Sequence, residues 1–294
     1  MIRFFYFVLL SLLLVACVPK QLESDADLEC DNCEGWNLPQ EPFRIYGSSW
    51  YVGTVGLSSI LIEAGEELIL IDGALPQSAA VIDVNIRSLG FDPKNISTIL
   101  VSHAHYDHAG GIAALQRFTG ASVYSSVEGA KALDSGELQP DDPQYIEGSR
   151  VSFPAISKVV AVADGDIVTT AGVNVRAVYT PGHTPGGMSW AWESCVLETC
   201  YQLIYADSLT AVSAEGFSFG DSLAAIQLIE SADKISLLDC DILLSPHPFF
   251  FGMQNKLKNR DGGNPFVNNV ACSMYAETAL GWLERRLRAE RGEF

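Results

Sequence analysis

Basic residues are scarce in this chain: 18 lysines and arginines stand against 36 aspartates and glutamates over 294 residues, a formal net charge of −18 at neutral pH. A surface this acidic is not expected to follow a phosphate backbone or an anionic lipid face, so nucleic acid drops out as a partner. Any anionic substrate must be caught locally, by metal or by isolated donors. Long apolar runs are also missing. The run from Phe4 to Ala16 covers 13 residues, enough for the apolar part of an export signal and too short to cross a bilayer comfortably. Histidine is rare, with five in the whole chain. No segment is of low complexity.

Arg3 and the run behind it read as a signal peptide over residues 1–16. The sequence Leu14-Val15-Ala16-Cys17 resembles the bacterial lipobox, in which the cysteine is acylated. An ordinary signal peptide with an incidental Cys17 is the alternative. The expected organisation is a leader over 1–16, a lipidated polar tether over 17–40 and a single domain over 41–294. The expected location is the periplasm, with the outer membrane reached only through a lipid at Cys17. Without the leader about 278 residues remain, enough for one large core, and their 17 basic and 36 acidic residues give −19.

Seven cysteines suit an exported protein. Setting Cys17 aside leaves Cys30, Cys33, Cys195, Cys200, Cys240 and Cys272, which allow 15 pairings. Pairing nearest neighbours is the simplest choice, although sequence does not select it. A Cys240–Cys272 bridge would close a loop worth roughly 3–4 kcal/mol in the chain-entropy model. Cys30-x-x-Cys33 could instead be a redox pair or half a zinc knuckle, but no second CxxC occurs.

Apolar, β-branched stretches at 50–55, 59–63, 68–72 and 96–102 read as strands, as do 173–179, 203–206 and 241–244. Helices are expected over 78–89, 110–119, 221–233 and 275–288. Strands and helices intermix without a linker, which argues one α/β domain. The histidines fall just after strands: His103, His105 and His108 after 96–102, His183 after 173–179, His247 after 241–244. Asp207 likewise follows 203–206. Side chains at strand ends converge on one edge of an α/β core.

Ser102-His103-Ala104-His105-Tyr106-Asp107-His108 puts three imidazoles and a carboxylate within six positions. In an extended segment His103, His105 and Asp107 point one way, and His108 joins if the chain turns after Tyr106. Four donors exceed what one catalytic zinc accepts beside its water. With His183 and His247 there are six donors, which divide into two sets of three: a two-metal site. A surface loop merely rich in histidine would not recruit every histidine in the chain. Two rival motifs are weak. Gly216-Phe217-Ser218-Phe219-Gly220 fits GxSxG, with Asp241 and His247 in triad order, but no strand precedes it. Ser231-Ala232-Asp233-Lys234 fits SxxK without its companion motifs.

The cluster His103-x-His105-x-Asp107-His108 resembles the metallo-β-lactamase superfamily signature. Trp36-Asn37, Gly56-Leu57-Ser58-Ser59, Ile71-Asp72-Gly73, Pro181 to Gly187, Tyr205 to Leu209 and Ser245-Pro246-His247-Pro248 resemble its class B β-lactamases of subclass three, over roughly 36–288. The resemblance implies an αββα sandwich with two Zn2+ ions. His103, His105 and His183 would take the first ion; Asp107, His108 and His247 would take the second. The implied reaction is hydrolysis of the β-lactam ring amide by a zinc-bound hydroxide that Asp107 orients, with no acyl-enzyme. Ser208 and Thr210 match positions near the substrate carboxylate. Asp207 either bridges or supports, and Asp72 either braces the ligand loop or is a plain turn residue. The Cys240–Cys272 pair matches a disulfide of the subclass. Sister hydrolases of lactones or thioesters share the metal motif, and a non-catalytic zinc lipoprotein is a further alternative.

Overall fold

A computed structural model describes residues 22–148, 152–259 and 263–293. The leader and Cys17 lie outside the described residues. Two sheets face each other. The first orders β1 (Phe43–Tyr46), β2 (Ser49–Tyr51), β3 (Ile60–Ala64), β4 (Glu67–Ile71), β5 (Ile96–Leu100), β6 (Ser122–Ser126) and β7 (Val160–Val162) side by side. Pairing is antiparallel from β1 to β4 and parallel from β4 to β7. The second comprises β8 (Ile167–Thr170), β9 (Val173–Tyr179), β10 (Met188–Val196), β11 (Thr199–Tyr205) and β12 (Ile242–Leu244), antiparallel except for the β11–β12 pair.

The strands β3 and β4 show why this becomes a layered molecule. Side chains alternate along a strand, and here both faces are apolar. Ile60, Ile62, Ile69 and Ile71 pack towards the second sheet with Trp190, Trp192 and Tyr205. Leu61, Leu68 and Leu70 pack the other way, against Ile82 and Ile86 of α1 (Ser78–Ser88) and Leu115 of α2 (Ile112–Thr119). Outside the second sheet lie α3 (Leu223–Ser236) and α4 (Ala271–Glu290), which pack on each other. Trp192 Nε1 donates to Ser49 Oγ (2.9 Å) and Trp190 Nε1 to the Val101 carbonyl (3.2 Å), tying the sheets together. The arrangement is the expected αββα sandwich, with helices on both outer faces.

The tether expectation fails over the described residues 22–40. Leu22 is buried in the helix-side core, and Asp25 pairs with Arg117 at 2.7 Å. Leu28 exchanges two hydrogen bonds with Gln77 (3.1 and 2.9 Å), and Pro39 bridges to Thr54. The segment is polar because it lies on the surface, yet Leu22, Leu28 and Trp36 pack against the helix-side core. The sulfurs of Cys30–Cys33, Cys195–Cys200 and Cys240–Cys272 lie at bonding distance, 2.14, 2.01 and 2.01 Å.

Candidate metal centre

The histidine cluster begins where β5 ends, and its backbone is more bent than the sequence suggested. His105 is extended, but Tyr106–Ala109 forms one helical turn, closed by Ala109 N–H on the His105 carbonyl (2.8 Å). That turn, rather than extended alternation, swings His108 in beside Asp107. Asp72, at the end of β4, holds the loop from below. Its carboxylate accepts from Ser102 N–H (2.8 Å), Ser102 Oγ (2.6 Å) and Tyr205 Oη (2.7 Å). Asp72 is therefore a brace of the ligand loop, not a free turn residue.

His183 follows β9 on a turn that requires glycine. Gly182 has φ +129°, and a Cβ there would meet the Leu228 backbone nitrogen at 2.6 Å. His247 follows β12, where Ser58 N–H donates to the Pro246 carbonyl (2.8 Å) and the Trp36 ring lies tilted against the imidazole, centroids 5.3 Å apart.

The sequence-derived residues meet. One donor atom from each of His103, His105 and His183 lies within 4.8 Å of the other two, and the same holds for His103, Asp107 and His108. His247 joins through Nε2, 3.5 Å from Asp107 Oδ2, with its ring 4.8 Å from that of His108. Ser208, Thr210, Asp107, His105, His183 and His247 line one cavity of about 450 Å³, together with the aromatic rings of Trp36, Phe249, Phe250 and Trp282. Ser218 is elsewhere: its hydroxyl bonds Glu290 (3.1 Å), and Asp241 accepts from Gln202 N–H, so no serine triad forms. Ser231 and Lys234 lie on α3, bonded to the Pro181 and Tyr179 carbonyls.

The donor set fits metal ions on its own chemistry. A buried imidazole nitrogen without a partner is costly, because its hydration is lost for nothing. His103 Nε2, both nitrogens of His108 and Asp207 Oδ2 are buried without a hydrogen-bond partner among the described residues. The distal nitrogens are better served. His103 Nδ1 meets Asp207 Oδ1 at 2.7 Å, and His183 Nδ1 donates to the Thr210 carbonyl at 2.9 Å. Asp207 thus supports His103 in this arrangement.

Protonation points the same way. Burial first, then the neighbouring imidazoles, pushes His183 down to about 3 and His247 to about 4. Burial likewise drives His103 far below its ordinary value. These rings are neutral at pH 7, as metal ligands must be. Burial alone would raise the Asp107 carboxyl, but His108, and after it His247 and His105, hold it below the usual carboxylate range. His108 is raised despite its burial, because Asp107 and Asp72 face it.

Asp142 and Gln144, on the loop after the 127–135 helix, had not been expected at the site. The Asp142 carboxylate oxygens stand 3.2 and 3.3 Å from His105 Nε2, and the Gln144 amide stands 3.4 Å from His105 Nδ1. Phe249 and Trp282 were also missed. A loop aspartate carries no periodic signal, and only the folded chain brings it to the histidine.

Two face-to-face sheets flanked by helices, with a buried histidine–aspartate cluster at their edge, define a metal-dependent hydrolase fold. The chain belongs to the metallo-beta-lactamase superfamily, whose family model matches residues 52–197. It is similar over 90% of its length to the whole of the Rm3 metallo-beta-lactamase, at 41% identity and a TM-score of 0.86. MEM-A1, a subclass B3 metallo-beta-lactamase from a soil metagenome library, shares 42% identity over 87% of this chain and 99% of its own, at a TM-score of 0.84. An atrochrysone carboxyl ACP thioesterase of Aspergillus fumigatus is 31% identical over 134 residues, 45% of this chain and 35% of that protein. The chain spans about half the length, or less, of the first curated relatives it matches. The fold implies a divalent metal, and the His103, His105, His183, Asp107 and His108 cluster fits one.

Proposed function

We propose that this chain is a β-lactamase of subclass B3, hydrolysing the ring amide of penicillins, cephalosporins and carbapenems with two zinc ions. His103, His105 and His183 would hold one ion; Asp107, His108 and His247 would hold the other. One observation carries the reading. Asp107, His105, His183 and His247 line a cavity that also presents Ser208 and Thr210, with the buried His103 and His108 in ring contact behind them, in a chain alike in sequence over about nine-tenths of its length to solved metallo-beta-lactamases.

Zinc bound to such donors supplies a water acidified towards neutral pH and a Lewis-acid contact for a carbonyl oxygen. The remaining work falls to the chain. Asp107, an ionised acceptor lining the cavity, orients the attacking water. Ser208 Oγ, buried and unpartnered among the described residues, is free to donate to the substrate carboxylate. Thr210 Oγ1 lies 3.0 Å from His183 Nδ1 and offers a second hydroxyl on the same wall. Trp36, Phe249, Phe250 and Trp282 present an apolar face that keeps water from the bound ring. No side-chain nucleophile takes part, so inhibitors that acylate a serine should fail. The proposal includes export as a lipoprotein anchored through Cys17 to the periplasmic side, which metabolic labelling with a fatty acid would test.

The deciding experiment is a substrate panel on the purified mature chain: a chromogenic cephalosporin, a carbapenem, an acyl lactone and a thioester. The reading expects turnover of the first two. Zinc-dependent lactone or thioester cleavage without β-lactam cleavage would transfer the chain to the alternative suggested by its thioesterase relative.

A further inference from the structure

We infer that Asp142 is a positioning residue for His105: its carboxylate fixes the imidazole as the Nε2–H tautomer, so that Nδ1 is the nitrogen offered to metal. The inference rests on the metal-centre reading above and assigns a role to a residue outside the ligand set.

His105 is oriented oppositely to its neighbours. His103, His183 and His247 each turn Nδ1 outward, to Asp207 Oδ1 (2.7 Å), the Thr210 carbonyl (2.9 Å) and the Gly56 carbonyl (3.3 Å). Their Nε2 atoms are left for the centre. His105 instead turns Nε2 outward, 3.2 and 3.3 Å from the two Asp142 oxygens. An ionised carboxylate only accepts, so the proton between them belongs to Nε2. The Gln144 amide approaches Nδ1 at 3.4 Å, which fits a nitrogen that keeps its lone pair.

Asp142 is built to stay there. It is 5% exposed, and its Oδ1 accepts from Gln144 N–H at 2.8 Å. Its own N–H donates to the Gln139 carbonyl, and its carbonyl accepts from Tyr145 N–H, both at 2.9 Å. Ala214 N–H pins the loop at the Pro143 carbonyl, again at 2.9 Å. A buried carboxylate is costly unless paired, and His105 is the imidazole it faces. A partner of this kind fixes both ring orientation and tautomer, and its loss weakens metal binding about 10–100-fold.

The test uses the mature chain. Zinc affinity is measured by competition with a chromophoric chelator, for the wild type and for Asp142→Asn, together with the unfolding midpoint of each metal-free protein. The expected result is a 10–100-fold weaker affinity for one of the ions in the variant, with the metal-free midpoint unchanged. Unchanged affinity overturns the inference. Nitrogen-15 imidazole spectra of the zinc-loaded wild type decide independently, even if the variant does not fold. A protonated Nε2 at His105 supports the inference, and a protonated Nδ1 overturns it. A wild type that takes up no zinc overturns the metal-centre reading itself, an outcome distinct from either result at Asp142.

Discussion

The two halves of the donor cluster are held with different firmness. In the set His103, His105 and His183, each outward nitrogen has a partner within 3.2 Å: Asp207, Asp142 and the Thr210 carbonyl. In the set Asp107, His108 and His247 the support is looser. His108 Nδ1 is 3.9 Å from Asp72, and His247 Nδ1 is 3.3 Å from the Gly56 carbonyl. The first set stands ready-made after two strand ends, β5 for His103 and His105 and β9 for His183. The second depends more on what binds it. Preorganised donors lose less freedom on binding, so the first set should take the tighter ion.

Ligand deletions give the largest contrast. His183→Ala should cut kcat/KM for a chromogenic cephalosporin about a thousandfold or more, because several kcal/mol of charge stabilisation is lost. His247→Ala should cost less, about ten- to a hundredfold, and equal losses would erase the contrast. The supports come next. Asp207→Asn should lower zinc affinity about 10–100-fold, read by metal content after dialysis. Ser208→Ala removes one hydroxyl that no metal needs, so KM should rise up to about tenfold with little change in kcat.

A smaller effect concerns the far end of α4. Burial would raise the Glu290 carboxyl, but Arg286 and the N–H groups of Gly220 and Phe219 hold it at about 2 against an ordinary 4.5. A lowered folded-state value means that the stability is complete above 4.5 and is lost as pH falls towards 2. The unfolding midpoint should fall more steeply between these limits for the wild type than for Glu290→Gln. The smallest effect is at Ser218. Ser218→Ala should leave activity intact, and a collapse would revive the serine mechanism.

What could be read beforehand follows from where the signals lie. The strand Val173–Tyr179 matched its expected limits, and the helix Ser78–Ser88 ended within one residue of expectation, because alternation and helical stripes are local patterns. Strand β10, Met188–Val196, went unread: its first five residues are all buried, so it shows no alternation. The histidine cluster was legible from spacing alone, and so was the need for a turn after Tyr106 to bring in His108, though not the helical form that turn takes. Asp142 and Gln144 were invisible, since a loop residue's partner is decided by tertiary approach. Residues 22–40 misled for the opposite reason, being polar in composition yet anchored by Leu22 and Gln77.

The central claim is that the histidine–aspartate cluster works only with metal. Carbapenem hydrolysis should be followed on the metal-depleted mature chain during titration with zinc. The account predicts no turnover before zinc and recovery as the ions bind. Full turnover in the presence of a strong chelator, before any zinc is added, would contradict it.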